Sequence, residues 1–107
     1  MKTTKAKYNE IIEYLKNTCE KDLSVDDIAE YFCMSKSSLK RIFSLCNGKG
    51  IAKQFNAFKI EKAKQLLKEG LKPNEIAERL EFASVNYFYV VFKRETGISI
   101  SEYKKQH

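Results

Sequence analysis

Apolar residues recur along this chain at the three- and four-residue spacing of amphipathic helices, with polar residues filling the positions between them. The spacing predicts a first helix over about residues 7–20 and a long helix from Ile51 to Gly70. Shorter apolar runs between and after these predict five further helices. Because no strand-like alternation of apolar and polar residues appears, the pattern predicts an all-α fold of seven helices.

Serine and proline mark the starts of the short helices, and asparagine and glycine mark the ends. Two of the serines stand three residues before an acid, which is the spacing of a capping box: Ser24 with Asp27, and Ser99 with Glu102. The remaining starts are Ser35, Pro73 and Ser84, and the ends are Asn47-Gly48, Gly70 and Gly97. The inward residues expected in two of these helices are Leu39, Ile42, Phe43 and Cys46, and Phe88, Val91 and Phe92.

The chain contains one pattern twice, over residues 24–48 and 72–97. Ile28-Ala29-Glu30 recurs as Ile76-Ala77-Glu78, and the later apolar positions recur one residue further on, so the slip falls where a connecting turn belongs. A short helix, a tight turn and a second helix form a helix-turn-helix, whose second helix lies in the DNA major groove. Two copies predict a protein that reads two successive stretches of duplex.

The long helix between the two copies suggests how they act together. About 20 helical residues span roughly 30 Å, and successive major-groove faces on one side of the duplex lie about 34 Å apart. A rigid connector of that length would let a monomer do what a two-fold dimer usually does.

The net charge of +6 is unevenly distributed along the chain. Residues 1–30 carry a net charge of −2, residues 31–70 carry +7 and residues 71–107 carry +1. A solvated helical face would account for such a basic stretch. Its coincidence with the first helix-turn-helix favours a phosphate-binding surface instead.

The helix that opens at Ser35 leaves a polar and basic face outward. Lys36 and Lys40 are four residues apart, as are Ser37 and Arg41, so these side chains share one side of the helix. Arginine can bond bidentately to guanine, lysine can reach guanine or phosphate, and serine can bond to either bases or phosphate. The candidate DNA-binding residues of this helix are Lys36, Ser37, Lys40, Arg41 and Ser44. A solvated face without function is the alternative.

The corresponding helix of the second copy has a different outward face. Asn86 could read adenine, Val85 could touch a thymine methyl group, and Tyr89 could donate to phosphate. The first two turns carry no lysine or arginine, so this helix either reads A/T-rich DNA through apolar contacts or is partly degenerate. Its exposed apolar residues could also form a protein contact. The candidate residues are Val85, Asn86, Tyr89, Val90 and Lys93.

Other chemistry finds little support in the residues. Cys19, Cys33 and Cys46 show no metal-ligand spacing, so we expect reduced thiols in packing or turn positions. The single histidine, His107, stands at the very end. Without an internal histidine, a phosphate-binding loop or a metal cluster, we expect no enzyme activity and no cofactor. No apolar stretch approaches the roughly 20 residues of a membrane span, so no membrane partner is expected.

Three segments resemble the DNA-binding domain of the AraC/XylS family of bacterial transcription regulators: SVDDIAEYFCMSKSSLKRIF, FNAFKIEKAKQLL and EIAERLEFASVNYFYVVFKRETGISISEY. The resemblance implies seven helices and one DNA-binding domain over residues 7–107. Its helix-turn-helix units would occupy residues 24–48 and 72–97, with a linker helix over 49–70. The family's base-contact positions fall here on Ser37, Lys40 and Arg41, and on Val85, Asn86, Tyr89 and Val90.

The sequence departs from the family pattern at several positions. Cys33 and Glu81 occupy the places where the turn usually contains glycine, and a non-glycine residue at positive φ would cost about 1 kcal/mol there. Val90 replaces a frequent arginine, which predicts weaker base discrimination by the second unit. Lys59 stands where arginine is usual.

We therefore expect a sequence-specific transcription regulator, an activator, that binds double-stranded promoter DNA in the bacterial cytoplasm. RNA polymerase is a second candidate partner, and this fragment is expected to be monomeric. We expect it to be the C-terminal DNA-binding domain of a longer regulator, and a stand-alone regulator is the alternative. The competing function is a helical protein-interaction module with a degenerate second helix-turn-helix.

Overall fold

The computed structural model describes residues 4–106, and over that range it contains seven helices and no strand. The prediction of an all-α fold with seven helices is confirmed. His107 lies outside the described residues. In chain order the helices are α1 (Thr4–Asn17), α2 (Val25–Tyr31), α3 (Lys36–Cys46), α4 (Ile51–Lys68), α5 (Pro73–Arg79), α6 (Val85–Thr96) and α7 (Ile100–Gln106).

Two helices differ from their expected bounds. α1 ends at Asn17, three residues before the predicted end, and Thr18 closes it by donating from its amide and its hydroxyl to the carbonyl of Tyr14, at 3.0 and 2.7 Å. α4 has 18 residues and ends before Gly70. At 1.5 Å per residue its length is about 27 Å, close to the expected value.

The chain divides into two compact units, each with its own apolar core. The first comprises the residues up to Thr18 and Leu23–Phe55, and the second comprises Cys19–Asp22 and the residues from Asn56 onward. Buried in the first unit are Ile11, Leu15, Ile28, Ala29, Leu39, Phe43, Ile51 and Phe55. The core of the second consists of Ile60, Ala63, Leu66, Leu67, Ile76, Ala77, Leu80, Phe88, Val91, Phe92, Ile100 and Tyr103.

The expected inward face of α3 is only partly correct. Leu39 and Phe43 are fully buried, Ile42 is half-buried, and Cys46 is exposed. Residues 44–50 are all exposed, so the last turn of α3 extends beyond the core of its unit. The helical spacing that aligns Cys46 with the buried positions therefore meets no packing partner there. The prediction that Cys46 is buried was wrong.

The turns that follow α2 and α5 have the same backbone structure. After α2, the amide of Cys33 donates to Glu30 at 3.1 Å and that of Met34 to Ala29 at 2.9 Å. After α5, the equivalent bonds, from Glu81 to Glu78 and from Phe82 to Ala77, have the same lengths of 3.1 and 2.9 Å. This is the Schellman arrangement, which requires a left-handed residue just past the helix. Cys33 and Glu81 have φ of 54° and 56°, which confirms the expected strain positions.

Serine side chains cap the N-termini of α2, α3, α6 and α7. Ser35 and Ser84 each accept a bond from the amide three residues on, at 3.1 and 3.0 Å. Ser24 and Asp27 form the predicted capping box, and the bonds donated by the Ser24 amide and hydroxyl hold the pKa of Asp27 below its usual value. The Ser99 hydroxyl accepts from the Glu102 amide at 3.2 Å. The structure thus confirms all four serines as helix starts.

The buried side chain of Lys59 contacts the turn between α5 and α6. Lys59 is only 4% exposed, its ammonium donates to the carbonyl of Leu80, and its Nζ lies 5.3 Å from the ring centre of Phe82. Burial lowers the pKa of Lys59, while the carboxylates of Asp22 and Glu81 oppose that shift. Since Leu80 and Phe82 flank the left-handed residue, Lys59 holds the segment that leads into α6.

Glycine at the left-handed position should stabilise the first turn. Cys33→Gly relieves roughly 1 kcal/mol of strain, partly offset by the greater entropy of glycine in the unfolded chain. Cys33→Ala keeps a Cβ at φ of 54° and should bring no such gain. Glu81→Gly should gain less than Cys33→Gly, because the Glu81 carboxylate also accepts from the Asp22 amide at 3.3 Å. Thermal melts of the three variants measure these differences in stability, and an equal gain from Cys33→Ala would show that strain is not the cause.

Replacing the buried lysine should destabilise the fold in a pH-dependent way. Lys59→Met leaves the Leu80 carbonyl without its donor, at a cost of about 1–3 kcal/mol. The folded-state pKa of Lys59 lies below its value of 10.5 in the unfolded chain, so the unfolded wild type binds more protons between the two values. Deprotonation of Lys59 therefore raises the free energy of unfolding of the wild type as the pH rises, and Lys59→Met lacks this increase.

The measurement is urea unfolding of both proteins at pH 8 and pH 10. The difference in unfolding free energy between wild type and Lys59→Met should be larger at pH 10. Lys62→Met, on the same helix but half-buried and 3.8 Å from Glu20, is the control and should show no such growth. A difference that shrinks at pH 10 would mean that the charged form of Lys59 is the favoured one.

Candidate nucleic-acid interface

Two helices occupy the position of a recognition helix, because each follows a short helix and a left-handed turn. In α3 the buried side is formed by Leu39 and Phe43, and in α6 by Phe88, Val91 and Phe92. The caps at Ser35 and Ser84 and these buried residues set the rotation of each helix about its own axis. The residues on the opposite side are therefore presented to solvent in a fixed order.

The exposed side of α3 carries all five residues that the sequence suggested. Among the described residues, Lys40 and Arg41 have no ion-pair partner within 4 Å, so both charges are available to a ligand. Lys36 differs, because its Nζ lies 3.2 Å from Oδ1 of Asp26 on α2. The exposed residues of this side are Lys36, Ser37, Lys40, Arg41 and Ser44.

The exposed side of α6 matches the sequence expectation with one exception. Asn86, Tyr89, Val90 and Lys93 are exposed, and Val90 is 59% exposed, which is high for an apolar residue. Val85 is half-buried and packs against the core of the second unit, as Phe82 does. The expectation that Val85 points outward is therefore corrected, because part of this side chain packs on the core and only the rest is exposed to solvent.

Two further residues of α6 were not among the candidates. Tyr87 is 45% exposed, and Arg94 is exposed next to Lys93 in the last turn of the helix. In the repeat, Lys93 and Arg94 align with Ser44 and Leu45 of α3. The basic residues thus lie in the first two turns of α3 but in the last turn of α6. The aligned sequences of the two copies already contain this difference.

The basic segment offers fewer available charges than its net charge of +7 suggests. Lys59 is buried, and three other lysines lie within 4 Å of a carboxylate, in the pairs Lys36–Asp26, Lys62–Glu20 and Lys64–Glu61. The remaining cations of residues 31–70 are all exposed: Lys40, Arg41, Lys49, Lys53 and Lys68. The local surface charge is therefore concentrated on α3 and the two ends of α4.

Other kinds of site are poorly represented in the described part of the chain. Over residues 4–106, no three His, Cys, Asp or Glu side chains are grouped so that they could hold a metal ion. A small open cavity of about 140 Å³ lies between Leu67, Lys68, Tyr103 and Lys104, below the few hundred Å³ of a typical ligand site. Within the same residues no helix is both long and apolar enough to cross a membrane.

Comparison with known proteins agrees with this geometry. The family model described as "Helix-turn-helix domain" matches residues 28–106. The xylose operon regulatory protein of Escherichia coli (strain K12) is 33% identical over 94 residues, which are 87% of this chain and 24% of that protein. The transcriptional regulatory protein HptR of Staphylococcus aureus (strain NCTC 8325 / PS 47) is 30% identical, over 92% of this chain and 39% of that protein. The chain thus spans roughly a quarter to two fifths of these relatives.

Solved structures show the same fold. The C-terminal domain of AraT, a response regulator from Geobacillus stearothermophilus, is 27% identical, with a TM-score of 0.86 over 92% of this chain and 84% of that one. A transcriptional regulator with an AraC-type DNA-binding domain from Chromobacterium violaceum is 26% identical, with a TM-score of 0.81 over 92% and 88%. The family model covers most of the chain, and the relatives and solved structures share its two helix-turn-helix units. The family consists of DNA-binding domains of transcription regulators and is not an enzyme family. On these grounds the chain belongs to the AraC-type helix-turn-helix family.

Proposed function

We propose that the chain binds double-stranded promoter DNA with α3 as its main reading helix and α6 as a weaker second one. The observation that carries this proposal is the exposed pair Lys40 and Arg41 on α3, neither of which has an ion-pair partner among the described residues. Arg41 can bond bidentately to O6 and N7 of guanine, and Lys40 can reach guanine or phosphate. Ser37, one turn before Arg41, and Ser44, one turn after Lys40, would bond to base edges or phosphate. Lys36, at the start of the helix, would reach phosphate.

The second helix contributes contacts of another kind. Asn86 would bond to N6 and N7 of adenine, and Val90, with the exposed part of Val85, would contact thymine methyl groups. Tyr89 would donate to phosphate, and Lys93 would supply a phosphate contact at the far end of the helix. Charge-assisted hydrogen bonds are stronger than neutral ones. The affinity of α6 for DNA is therefore the lower of the two.

The wider role follows from the relatives. The matched proteins are transcription regulators, and this chain corresponds to a fraction of their length. We infer that it is the C-terminal DNA-binding part of a longer bacterial regulator that acts in the cytoplasm as an activator. As a separate domain it would bind as a monomer, because it carries two recognition helices of its own. RNA polymerase is the protein partner that activation requires.

A second function has one observation in its favour. Tyr87, Tyr89 and Val90 expose apolar surface on α6, at 45%, 43% and 59%. Large apolar side chains left exposed on a helix can form protein contacts. In this alternative α6 would bind a partner protein, and only α3 would bind DNA.

Removing the arginine of α3 should weaken specific binding. Arg41→Ala should cost about 1–3 kcal/mol on the selected operator and relax the base preference at one position. Since Arg41 is exposed, the melting temperature should stay within about 2–4 °C of wild type. The operator is first selected from randomised duplex, and affinities are then measured by titration. Unfolding of the variant would assign Arg41 a structural role instead.

The matched comparison uses the second helix. Asn86→Ala/Val90→Ala should lose less affinity than Lys40→Ala/Arg41→Ala on the same operator at one salt concentration. Val85 is left unchanged because it also packs in the core. Equal losses would show that α6 contributes as much to DNA affinity as α3 does. No loss at all from the α6 variant would favour the protein-contact alternative.

Salt dependence should identify which charges face phosphate. Each phosphate neutralised contributes about −0.9 to the slope of log K against log salt concentration. Lys40→Ala should therefore make the slope shallower by about 0.9 if Lys40 binds phosphate, whereas the neutral change Val90→Ala should leave it unaltered. The titrations run from about 50 to 200 mM salt. A wild-type affinity that hardly changes over this range would contradict the DNA interface altogether.

A further inference from the structure

The first residue of the main reading helix is held by an acid from the neighbouring helix. Nζ of Lys36 lies 3.2 Å from Oδ1 of Asp26, and the two side chains are 55% and 72% exposed. The pair joins the N-terminal turns of α3 and α2. Lys36 is thus the one candidate DNA-binding cation of α3 that has a carboxylate partner among the described residues.

The internal repeat shows that the helix-turn-helix does not need this ion pair. Asp26 aligns with Asn74 on α5, and Lys36 aligns with Val85 on α6. The second copy therefore has the same fold, the same turn and neutral residues at both positions. Helix capping does not require Asp26 either, because Asp27 forms the capping box with Ser24.

The position of the acid has an electrostatic consequence. Under the proposed function, Lys36 approaches the phosphate backbone at the start of α3. A lysine bound to a carboxylate has to exchange that partner for phosphate. The exchange reduces the gain from Lys36 on any duplex, whatever its sequence.

We propose that Asp26 limits the sequence-independent DNA affinity of the first helix-turn-helix by holding Lys36 in an ion pair that phosphate must displace. The proposal rests on the proposed DNA interface and adds a residue that weakens binding to it. Sequence-independent binding depends almost entirely on phosphate contacts. Because the phosphate contact of Lys36 must first displace this ion pair, it adds less affinity, and binding depends more on base contacts.

The test is a double-mutant cycle on a duplex of random sequence, so it needs no knowledge of the operator. The proteins are wild type, Asp26→Asn, Lys36→Met and the double variant, and binding is followed by fluorescence anisotropy between about 50 and 200 mM salt. Asp26→Asn copies the residue of the second repeat and keeps the size of the side chain. It should tighten random-duplex binding about 1.5- to 5-fold at the low-salt end and steepen the slope of log K against log salt by about 0.9.

Glu61→Gln is the matched control, because it makes the same change in net charge and releases Lys64 from a pair at 3.0 Å on another helix. It should have a clearly smaller effect on the slope than Asp26→Asn. In the Lys36→Met background, Asp26→Asn should have no more effect than this control. An undiminished effect there would overturn the proposal, because Asp26 would then act on phosphate directly and not through Lys36. An unchanged slope for Asp26→Asn would overturn it as well.

The same titrations separate this inference from the interface on which it rests. If Lys40→Ala/Arg41→Ala binds the random duplex as wild type does, the interface itself is wrong. If that variant loses affinity while Asp26→Asn matches Glu61→Gln, only the role of Asp26 is wrong. Thermal melts of all variants verify folding, and Asp26→Ser replaces Asp26→Asn in the cycle should the latter lower the melting temperature.

Discussion

The backbone reversal after the first helix of each helix-turn-helix is the constraint on which the rest of the structure depends. Two amide-to-carbonyl bonds close the turn, and they form only if the residue between them adopts a left-handed conformation. Cys33 and Glu81 accept that conformation at some cost in strain, whereas Gly70 performs the same role after α4 with a φ of 96°. The turn determines where the following serine cap lies, and the cap determines which side of the recognition helix faces solvent.

The two copies share this backbone but differ in what surrounds it. The second turn is supported by the buried ammonium of Lys59, which donates to Leu80 and lies against Phe82. The first copy instead carries an exposed ion pair, Asp26 with Lys36, across its two helices. The hydrogen bond of Lys59 adds to the stability of the fold, since losing it leaves a buried carbonyl unpaired, whereas burial disfavours the charge itself and lowers the pKa of Lys59. An exposed pair adds little stability.

The lysines of the basic segment, residues 31–70, therefore differ in whether a ligand can reach their charge. A count of lysines treats Lys40, Lys59 and Lys36 alike, although one is available to a ligand, one is buried and one is paired. Counterion release depends on the charges that phosphate can reach without breaking other contacts. On α3, the charges that have no ion-pair partner among the described residues are those of Lys40 and Arg41, so the net charge of +7 over residues 31–70 overstates what a ligand can reach.

Periodicity, capping residues and the internal repeat determined the seven helices, both turns and most of the exposed residues of α3 and α6, because these follow from local backbone geometry and from one-sided burial. Tertiary structure alone decided the rest. Cys46 fits the helical period of α3 but lies past the end of its core, and Val85 occupies an outward position yet packs inward. Lys59 falls on the apolar side of α4, between Phe55 and Ala63, and only the carbonyl it meets 21 residues later explains its burial. Spacing along a helix specifies which side a residue faces, whereas the neighbouring elements determine what it meets there.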